Sequence, residues 1–331
     1  MATSHVAADP RIDEHGRTQS QKGSHIRVTK VRTFVSLAAF GDTRMITMIT
    51  SNVLKFLPPT RLALHVSTGS KFRPSRSTLR HWDPTVLYNP NPRGVKRRGP
   101  QVLGIHLSNI AVLAGSSVPP AGWDRIVFMP GNSVLVRPCN LLVGRAPVAL
   151  AHHNKRLMDD KATRVSHMHE TWRNWIKAAD AQRAGFRPAP LATSFHEGSW
   201  YPFHVLNDSI KRFRSTPLDH SSGLRACCLD CEGNSHMECL LEETVLPTVI
   251  VQHYPKLAER AVPPLVFIYW SHKVRPAAFY SSNLSALDPD YCGFKLVHDD
   301  ATKHKLTTQL LEMYTSSNGT QSSQGHVQTQ G

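Results

Sequence analysis

The stretch TFVSLAAFGDTRMITMITSNVLKFLPPTRLALHVS, running from Thr33 to Ser67, decides the fold. Thr33 to Phe40 is apolar and β-branched enough to read as a buried strand. Gly41 and Asp42 make a turn with a helix N-cap, and Met45, Ile46, Ile49, Val53, Phe56 and Leu57 then recur at helical spacing. Pro58 and Pro59 stop that helix, and Leu62 to Ser67 reads as a second strand. A strand, a helix and a strand over this length make a βαβ crossover, so the two strands run parallel. The turn after the first strand then lies at the carboxyl edge of the sheet, where α/β proteins bind ligands.

Outward from this unit the alternation continues. Trp82 to Asn89 reads as a short strand closed by the turn Asn89-Pro90-Asn91-Pro92. The basic run Lys96-Arg97-Arg98, read as loop decoration, leads into a helix whose buried stripe is Leu103, Leu107, Ile110 and Ala114. Asp124 to Met129 is the next strand, it stops at Pro130-Gly131-Asn132-Ser133, and Val134 to Val136 resumes an extended run. Past Pro147 the pattern predicts helices over Ser166 to Ala181, from Pro202 onward, and over about Glu242 to His253 despite Pro247. A strand over Leu265 to Trp270 and an amphipathic helix over Thr302 to Tyr314 complete the pass. The expected fold class is α/β, with a mostly parallel sheet flanked by helices in one large domain of two halves, 31–146 and 147–315. A polar arm, 1–30, and a Ser/Gln/Gly-rich tail, 316–331, are expected to be disordered.

Composition agrees with a globular protein: of 331 residues, 40% are hydrophobic and 19% charged, far from the balance of a disordered chain. The net charge of +15 ranks phosphate-bearing partners first. Between Arg17 and Trp123 there are sixteen Lys and Arg against two acids, Asp42 and Asp83. A polyanion-binding half beside a second site has this distribution, and so does an ordinary enzyme with a solvated basic face. No run reaches the ~18 apolar residues of a membrane helix, and the start lacks the apolar core of a secretory signal. No transmembrane segment is therefore expected, and the compartment is left open.

Four of the six cysteines crowd between Cys227 and Cys239. Cys228, Cys231, His236 and Cys239 have some of the spacing of a zinc knuckle, although the second pair departs from it. A local disulfide and a plain cysteine-containing loop are the alternatives. Isolated histidines, among them His65, His106, His196 and His204, carry little information in a chain with 19.

The chain has no Gly-x-Gly-x-x-Gly after the first strand, no Walker loop, no Gly-x-Ser-x-Gly elbow and no His-Glu-x-x-His. Dinucleotide oxidoreductases, P-loop enzymes, α/β-hydrolases and zincins lose support accordingly. Two acidic clusters remain, Phe195-His196-Glu197-Gly198-Ser199-Trp200-Tyr201-Pro202 and Leu240-Leu241-Glu242-Glu243-Thr244-Val245-Leu246-Pro247-Thr248. In the first, a carboxylate beside Trp200 and Tyr201 has the composition of a sugar-binding loop; alternatively Glu197 complements the dipole of the helix expected at Pro202. In the second, adjacent acids on a helix point about 100° apart, so at most one of Glu242 and Glu243 faces a site.

The runs Val102 to Ile110 and Trp123 to Ser133, together with Glu242 to Thr248, resemble the core-2/I-branching family of β-1,6-N-acetylglucosaminyltransferases. The resemblance spans about Val31 to Asp300. It implies a GT-A fold of Rossmann-like character and an inverting, metal-independent transfer of a sugar from a nucleotide-sugar donor to a hydroxyl of a glycan or other acceptor, with no further cofactor. Under it Glu243 is the catalytic base. Glu197, Trp200 and Tyr201 form an acceptor loop, and Gly41, Asn132, Ser133, Lys273, Arg275 and Lys295 serve the donor. Lys295 is expected in a turn formed by Cys292-Gly293-Phe294.

Most GT-A enzymes carry an Asp-x-Asp after the strand corresponding to Asp124 to Met129, where two carboxylates clamp a divalent ion. This chain has Gly131-Asn132-Ser133 there, and its one Asp-x-Asp, Asp288-Pro289-Asp290, falls late in a turn-like stretch. Three departures from the family stand out: no membrane anchor is seen where a Golgi address would need one, Leu246 replaces the motif's aromatic, and the family's disulfides cannot be built from these cysteines. The rival readings are a basic protein binding nucleic acid or another polyanion, and a transferase that kept the fold and lost turnover. The acidic clusters and the lack of interleaved aromatics make nucleic acid the less favoured partner.

Overall fold

The computed structural model describes residues 31–39, 41–57, 60–66, 74–75, 77, 85–89, 101–139, 148–150, 182, 185–187, 192, 194, 196–214, 241–269, 291–296 and 301–316. All of them fall in one compact unit that begins at Val31. The helix expected over Ser166 to Ala181, the Cys227–Cys239 cluster, Lys96 to Arg98, Lys273, Arg275, Asp288 and Asp290 lie outside the described residues.

The opening unit folds as its periodicity predicts. Strand β1, Thr33–Ala39, is buried along its whole length. Asp42 caps α1, Thr43–Phe56, by accepting a hydrogen bond from the Met45 amide at 2.9 Å. Strand β2, Thr60–Val66, returns parallel to β1 in the register Val35 to Leu62 and Ala38 to His65. β3, Val86–Asn89, pairs parallel with β2. After α2, Gln101–Ala114, strand β4, Arg125–Pro130, enters parallel on the other side of β1.

Trp200–Pro202 forms strand β6, antiparallel to β4, and helix α3 starts only at Phe203, running to Arg214. Pro202 therefore ends a strand rather than opening a helix: pairing with β4 sends the rings of Trp200 and Tyr201 to opposite faces of the sheet, where each is buried in one of the two cores. The five-stranded sheet has the order β3-β2-β1-β4-β6.

A second sheet has the order β5-β8-β7, from Ser133–Leu135, Gly293–Leu296 and Val266–Tyr269. The Cys292-Gly293-Phe294 segment is thus the start of a strand, not a turn. Its pairing is close, since a Cβ on Gly293 would stand 2.2 Å from the Val134 carbonyl oxygen, which is why a bulkier residue is excluded there. Asn52 of α1 anchors β5 by donating to the Leu135 carbonyl at 2.9 Å and accepting from its amide at 2.8 Å. β6, from the second half of the chain, extends the first sheet, and β5, from the first half, joins the second.

Helices α4, Leu241–His253 with Pro247 inside it, α5, Pro255–Ala258, and α6, Ala301–Ser316, complete the described elements. Two cores result. On one face of the main sheet, Val35, Leu37, Leu64, Val127 and Met129 pack against α1, α6 and the second sheet. On the other, Phe34, Ala63, Ile126 and Phe128 pack against α2, α3 and α4. Strands buried on both faces must be apolar almost throughout, which is how β1, β2 and β4 read. Among the described residues no helix is long and apolar enough to cross a membrane.

Candidate functional site

The strand order reverses between β1 and β4, because the chain leaves β1 toward β2 and β3 and later returns on β1's other side. The carboxyl edge at such a reversal is open to a ligand. Gly41 follows β1 there with φ at 128°, a conformation that favours glycine, and a Cβ would meet the Met45 sulfur at 3.0 Å. Beside it, β4 ends at Pro130, and the Gly131 amide donates to the Ala38 carbonyl at 2.6 Å, so the Gly131-Asn132 turn is tied to the end of β1. Gly41, Asn132 and Ser133, three residues expected at the donor, thus share one edge.

The register of the second sheet brings Lys295 to the same edge, directly opposite Ser133. Lys295 Nζ donates to Glu197 Oε1 and forms an ion pair with it. The Glu197 side chain is 4% exposed and that of Lys295 17%. Sequence reading assigned the lysine to the donor and the glutamate to the acceptor; the structure places them on each other.

A tight turn holds Glu197 in position. The Ser199 amide and hydroxyl both donate to the His196 carbonyl, at 3.0 and 2.7 Å. Gly198 takes φ of 72°; its amide donates to Phe128 of β4 at 2.7 Å and its carbonyl accepts from Leu265 at 2.9 Å. A Cβ at Gly198 would stand 2.7 Å from the Val266 amide nitrogen, so the turn depends on glycine both for its conformation and for its closeness to β7.

Burial alone would raise the Glu197 carboxyl pKa, but His196, whose Nδ1 lies 3.6 Å from Oε2, and Lys295 outweigh it and hold the group at about 2. Glu197 is therefore a permanent anion near neutral pH. It can fix and orient the Lys295 ammonium; it has no proton to give, and its basicity is low.

A buried polar layer that the sequence reading passed over lies beneath this edge, on the α2 face of the sheet. The Ser36 hydroxyl and His106 Nδ1 are 2.8 Å apart. Asn109 donates to Ser36 Oγ at 3.0 Å, while Asn89 donates to Asn109 Oδ1 at 3.0 Å and Ser108 Oγ at 2.9 Å. His65 Nδ1 lies 3.4 Å from Asn89 Nδ2. His106 stacks on Phe128 with ring centroids 4.2 Å apart and meets His196 edge-on at 5.9 Å. Burial, reinforced by His196 and His65, lowers the His106 pKa well below the usual imidazole value, so it is neutral. The sequence signal was polar residues inside runs otherwise apolar: Ser36 and His65 within strands, and His106 and Asn109 three apart on one helix face.

The remaining expectations divide. Trp200 and Tyr201 are fully buried, one in each core, so both rings pack strands rather than present a face to a glycan. Glu197 precedes a strand, which removes the helix-dipole reading. Glu243 lies in the first turn of α4, where the backbone is described and the side chain is not. Among the described residues no group of three or more His, Cys, Asp or Glu is placed to hold a metal ion.

No family profile matches the chain, and neither does any curated protein. Among solved structures, it is similar to the apo form of glycosyltransferase GlyE from Streptococcus pneumoniae TIGR4, at 10% identity and a TM-score of 0.34 over 86% of this chain. It spans 63% of the length of that protein. It is also similar to the galactosyltransferase LgtC in complex with donor and acceptor sugar analogs, at 11% identity and a TM-score of 0.36, covering 85% of this chain and 96% of that one. At these TM-scores the α/β description rests on the chain's own strand order and registers.

Proposed function

We propose that this protein is a glycosyltransferase of GT-A architecture that moves a hexosyl or N-acetylglucosaminyl group from a nucleotide-sugar to an acceptor hydroxyl, with inversion and without a metal ion. The observation that carries the reading is the Lys295–Glu197 ion pair opposite Ser133, at the carboxyl edge where the strand order reverses. A departing nucleoside diphosphate gains negative charge as the sugar leaves, and a cation already oriented at that place stabilises it without reorganisation. The turn that follows β4 offers Asn132 and Ser133 where an Asp-x-Asp enzyme would offer two carboxylates, so fixed side chains take the place of a metal clamp. The Ser133 hydroxyl is buried and has no hydrogen-bond partner among the described residues.

In this scheme Gly41, Asn132 and Ser133 receive the donor, and Lys295, with Lys273 and Arg275, meets the diphosphate. Glu197 acts through Lys295 as a positioning residue. Glu243 takes the proton of the attacking hydroxyl, the step that an inverting displacement requires of a carboxylate.

The test is a panel of nucleoside diphosphates and nucleotide-sugars scanned by thermal shift against the parent protein and Lys295→Ala, each with and without EDTA. The expected result is a stabilising ligand in the parent, EDTA-insensitive and weakened in the variant. A protein that no nucleotide stabilises but that shifts a labelled oligonucleotide at physiological salt would instead be the basic polyanion binder. Donor binding without turnover would mark a transferase that has lost activity.

A further inference from the structure

We propose that the amino edge of the main sheet docks on an anionic lipid bilayer, with Trp123, Val31 and Val118 entering the headgroup region and Arg61 beside them to meet lipid phosphates. Five large apolar side chains are exposed among the described residues, and three of them are these. Trp123 is the most open, at 60%. All three flank one hydrogen-bonded hub, since Val31 precedes Arg32, Val118 precedes Pro119 and Trp123 precedes Asp124. Arg32 reaches across this hub, donating from Nε to Asp124 Oδ2 and from Nη2 to the Pro119 carbonyl, each at 3.0 Å. The turn that carries Trp123 is closed by the Ala121 amide on Asp124 Oδ2 at 2.7 Å and the Asp124 amide on the Ala121 carbonyl at 3.0 Å. From α3, the amide and Nδ1 of His204 both donate to the Gly122 carbonyl, at 2.9 and 3.0 Å, and the His204 ring meets Trp123 edge-on with centroids 4.4 Å apart. A tryptophan already held by its neighbours has little freedom left to lose on binding, so its burial counts almost in full.

The chemistry around the patch selects a bilayer. Asp124, the acid of the hub, is buried and neutralised by Arg32. Arg61 stands at the same edge, opposite Phe34 in the β1–β2 register, and makes no ion pair among the described residues. The edge is built from the part of the chain in which sixteen Lys and Arg face two acids, so its field attracts anionic headgroups. Tryptophan, an apolar ring system with one N–H, is the side chain that favours the level of the headgroups, and valines beside it gain by leaving water. A stacked nucleic-acid base would use the indole and leave the two valines wet. Three side chains also cover only a fraction of the ~800 Å² per partner that a stable protein interface buries. The surface would lie on a membrane and not span it. Strands of six and seven residues separate the two edges, so the carboxyl edge with Lys295 would stand about 20 Å further from the bilayer. The inference is therefore independent of the reaction proposed there.

The experiment sediments the full chain with vesicles of phosphatidylcholine alone or mixed with phosphatidylserine, and repeats the mixed vesicles with brominated acyl chains while tryptophan fluorescence is read. The parent should sediment with the phosphatidylserine vesicles, more weakly as salt rises, and its fluorescence should be quenched by the brominated lipid. Trp123→Ala should bind about tenfold more weakly, the effect of one large apolar side chain no longer buried, and lose the quenching at an unchanged thermal midpoint. Arg61→Gln should bind about fivefold more weakly and keep the quenching. Sedimentation with neither vesicle would overturn the proposal, as would binding and quenching that Trp123→Ala leaves unchanged. So would a parent dimer that Trp123→Ala dissolves, which assigns the patch to a second copy, or a single-stranded oligonucleotide held by the parent and not by Trp123→Ala, which assigns it to nucleic acid. Quenching in the parent decides whether a tryptophan enters the bilayer even if Trp123→Ala fails to fold.

Discussion

Lys295 and Glu197, 98 positions apart in the chain, form a part-buried ion pair in which the ammonium donates to Oε1. Each residue is placed by a different device: Lys295 by the β5–β8 register, Glu197 by the glycine turn between Phe128 and Leu265. Neither device moves easily, so the cation has a fixed position before any ligand arrives. Removing either partner leaves the other charge buried and uncompensated, which costs more than the pair itself contributes.

Glu197 should make stability fall in acid. Its folded pKa of about 2 lies below the ordinary value of 4.5. A depressed carboxylate contributes stability that is fully present above pH 4.5 and is lost as pH falls toward 2, by about 3 kcal/mol in all. His106 and His65, also lowered by burial, act earlier: the unfolded chain takes up their protons first, so stability declines once pH drops below about 6.5. Urea unfolding of the parent and Glu197→Gln from pH 7 to pH 3 should show the difference between them shrinking below pH 4.5. A constant difference would mean that Glu197 is not ionised in the native protein.

Lys295→Ala should raise the Kd for the stabilising nucleoside diphosphate at least tenfold, the effect of losing one charge-assisted hydrogen bond. In turnover it should lower kcat more than it raises the donor KM, because the charge it meets grows toward the transition state. The double variant Glu197→Gln with Lys295→Met should recover much of the stability lost in either single variant, by about 2 kcal/mol. Parental affinity and kcat in Lys295→Ala would move the phosphate site to the basic loops of the first half.

Glu243→Gln should keep donor binding and lose transfer by about 10²-fold or more, the scale of a lost general base. Full transfer in this variant, measured by release of the nucleoside diphosphate in the presence of acceptor, would transfer the role to Glu242.

Turnover should survive chelation. If EDTA abolished it and manganese restored it, the Gly131-Asn132-Ser133 turn would not be metal-free in function, and Asp288 and Asp290 would become the ligands to test by substitution.

Gly198→Ala should destabilise the protein by about 2 kcal/mol or more, since φ of 72° and a contact of 2.7 Å to the Val266 nitrogen both oppose a Cβ. The same substitution should loosen Glu197 and weaken nucleotide binding. Unchanged stability by chemical denaturation would show that the turn relaxes freely.

Local pattern and tertiary structure contributed different parts of this protein. The βαβ unit, the α2 helix and the strand before Pro130 were legible because strands buried on both faces and helices with one buried stripe leave a periodicity in the chain itself. The carboxyl edge at the turn of Gly41 followed from the same reasoning, since a parallel crossover determines which end of the sheet is open, whereas Asn132 and Ser133 were expected at the donor only through the family resemblance. Four features were decided only by contacts between distant segments. Trp200 to Pro202 became a strand because β4 was there to pair with it, overriding the helix-start preference of proline. Gly293 to Leu296 became a strand because it fits between β5 and β7, and a four-residue segment has too little periodicity to announce itself. The meeting of Glu197 with Lys295, and the buried layer of Ser36, His65, Asn89, His106 and Asn109, depends on register between sheets and on which polar atoms find each other once water is excluded. Spacing along a chain records neither.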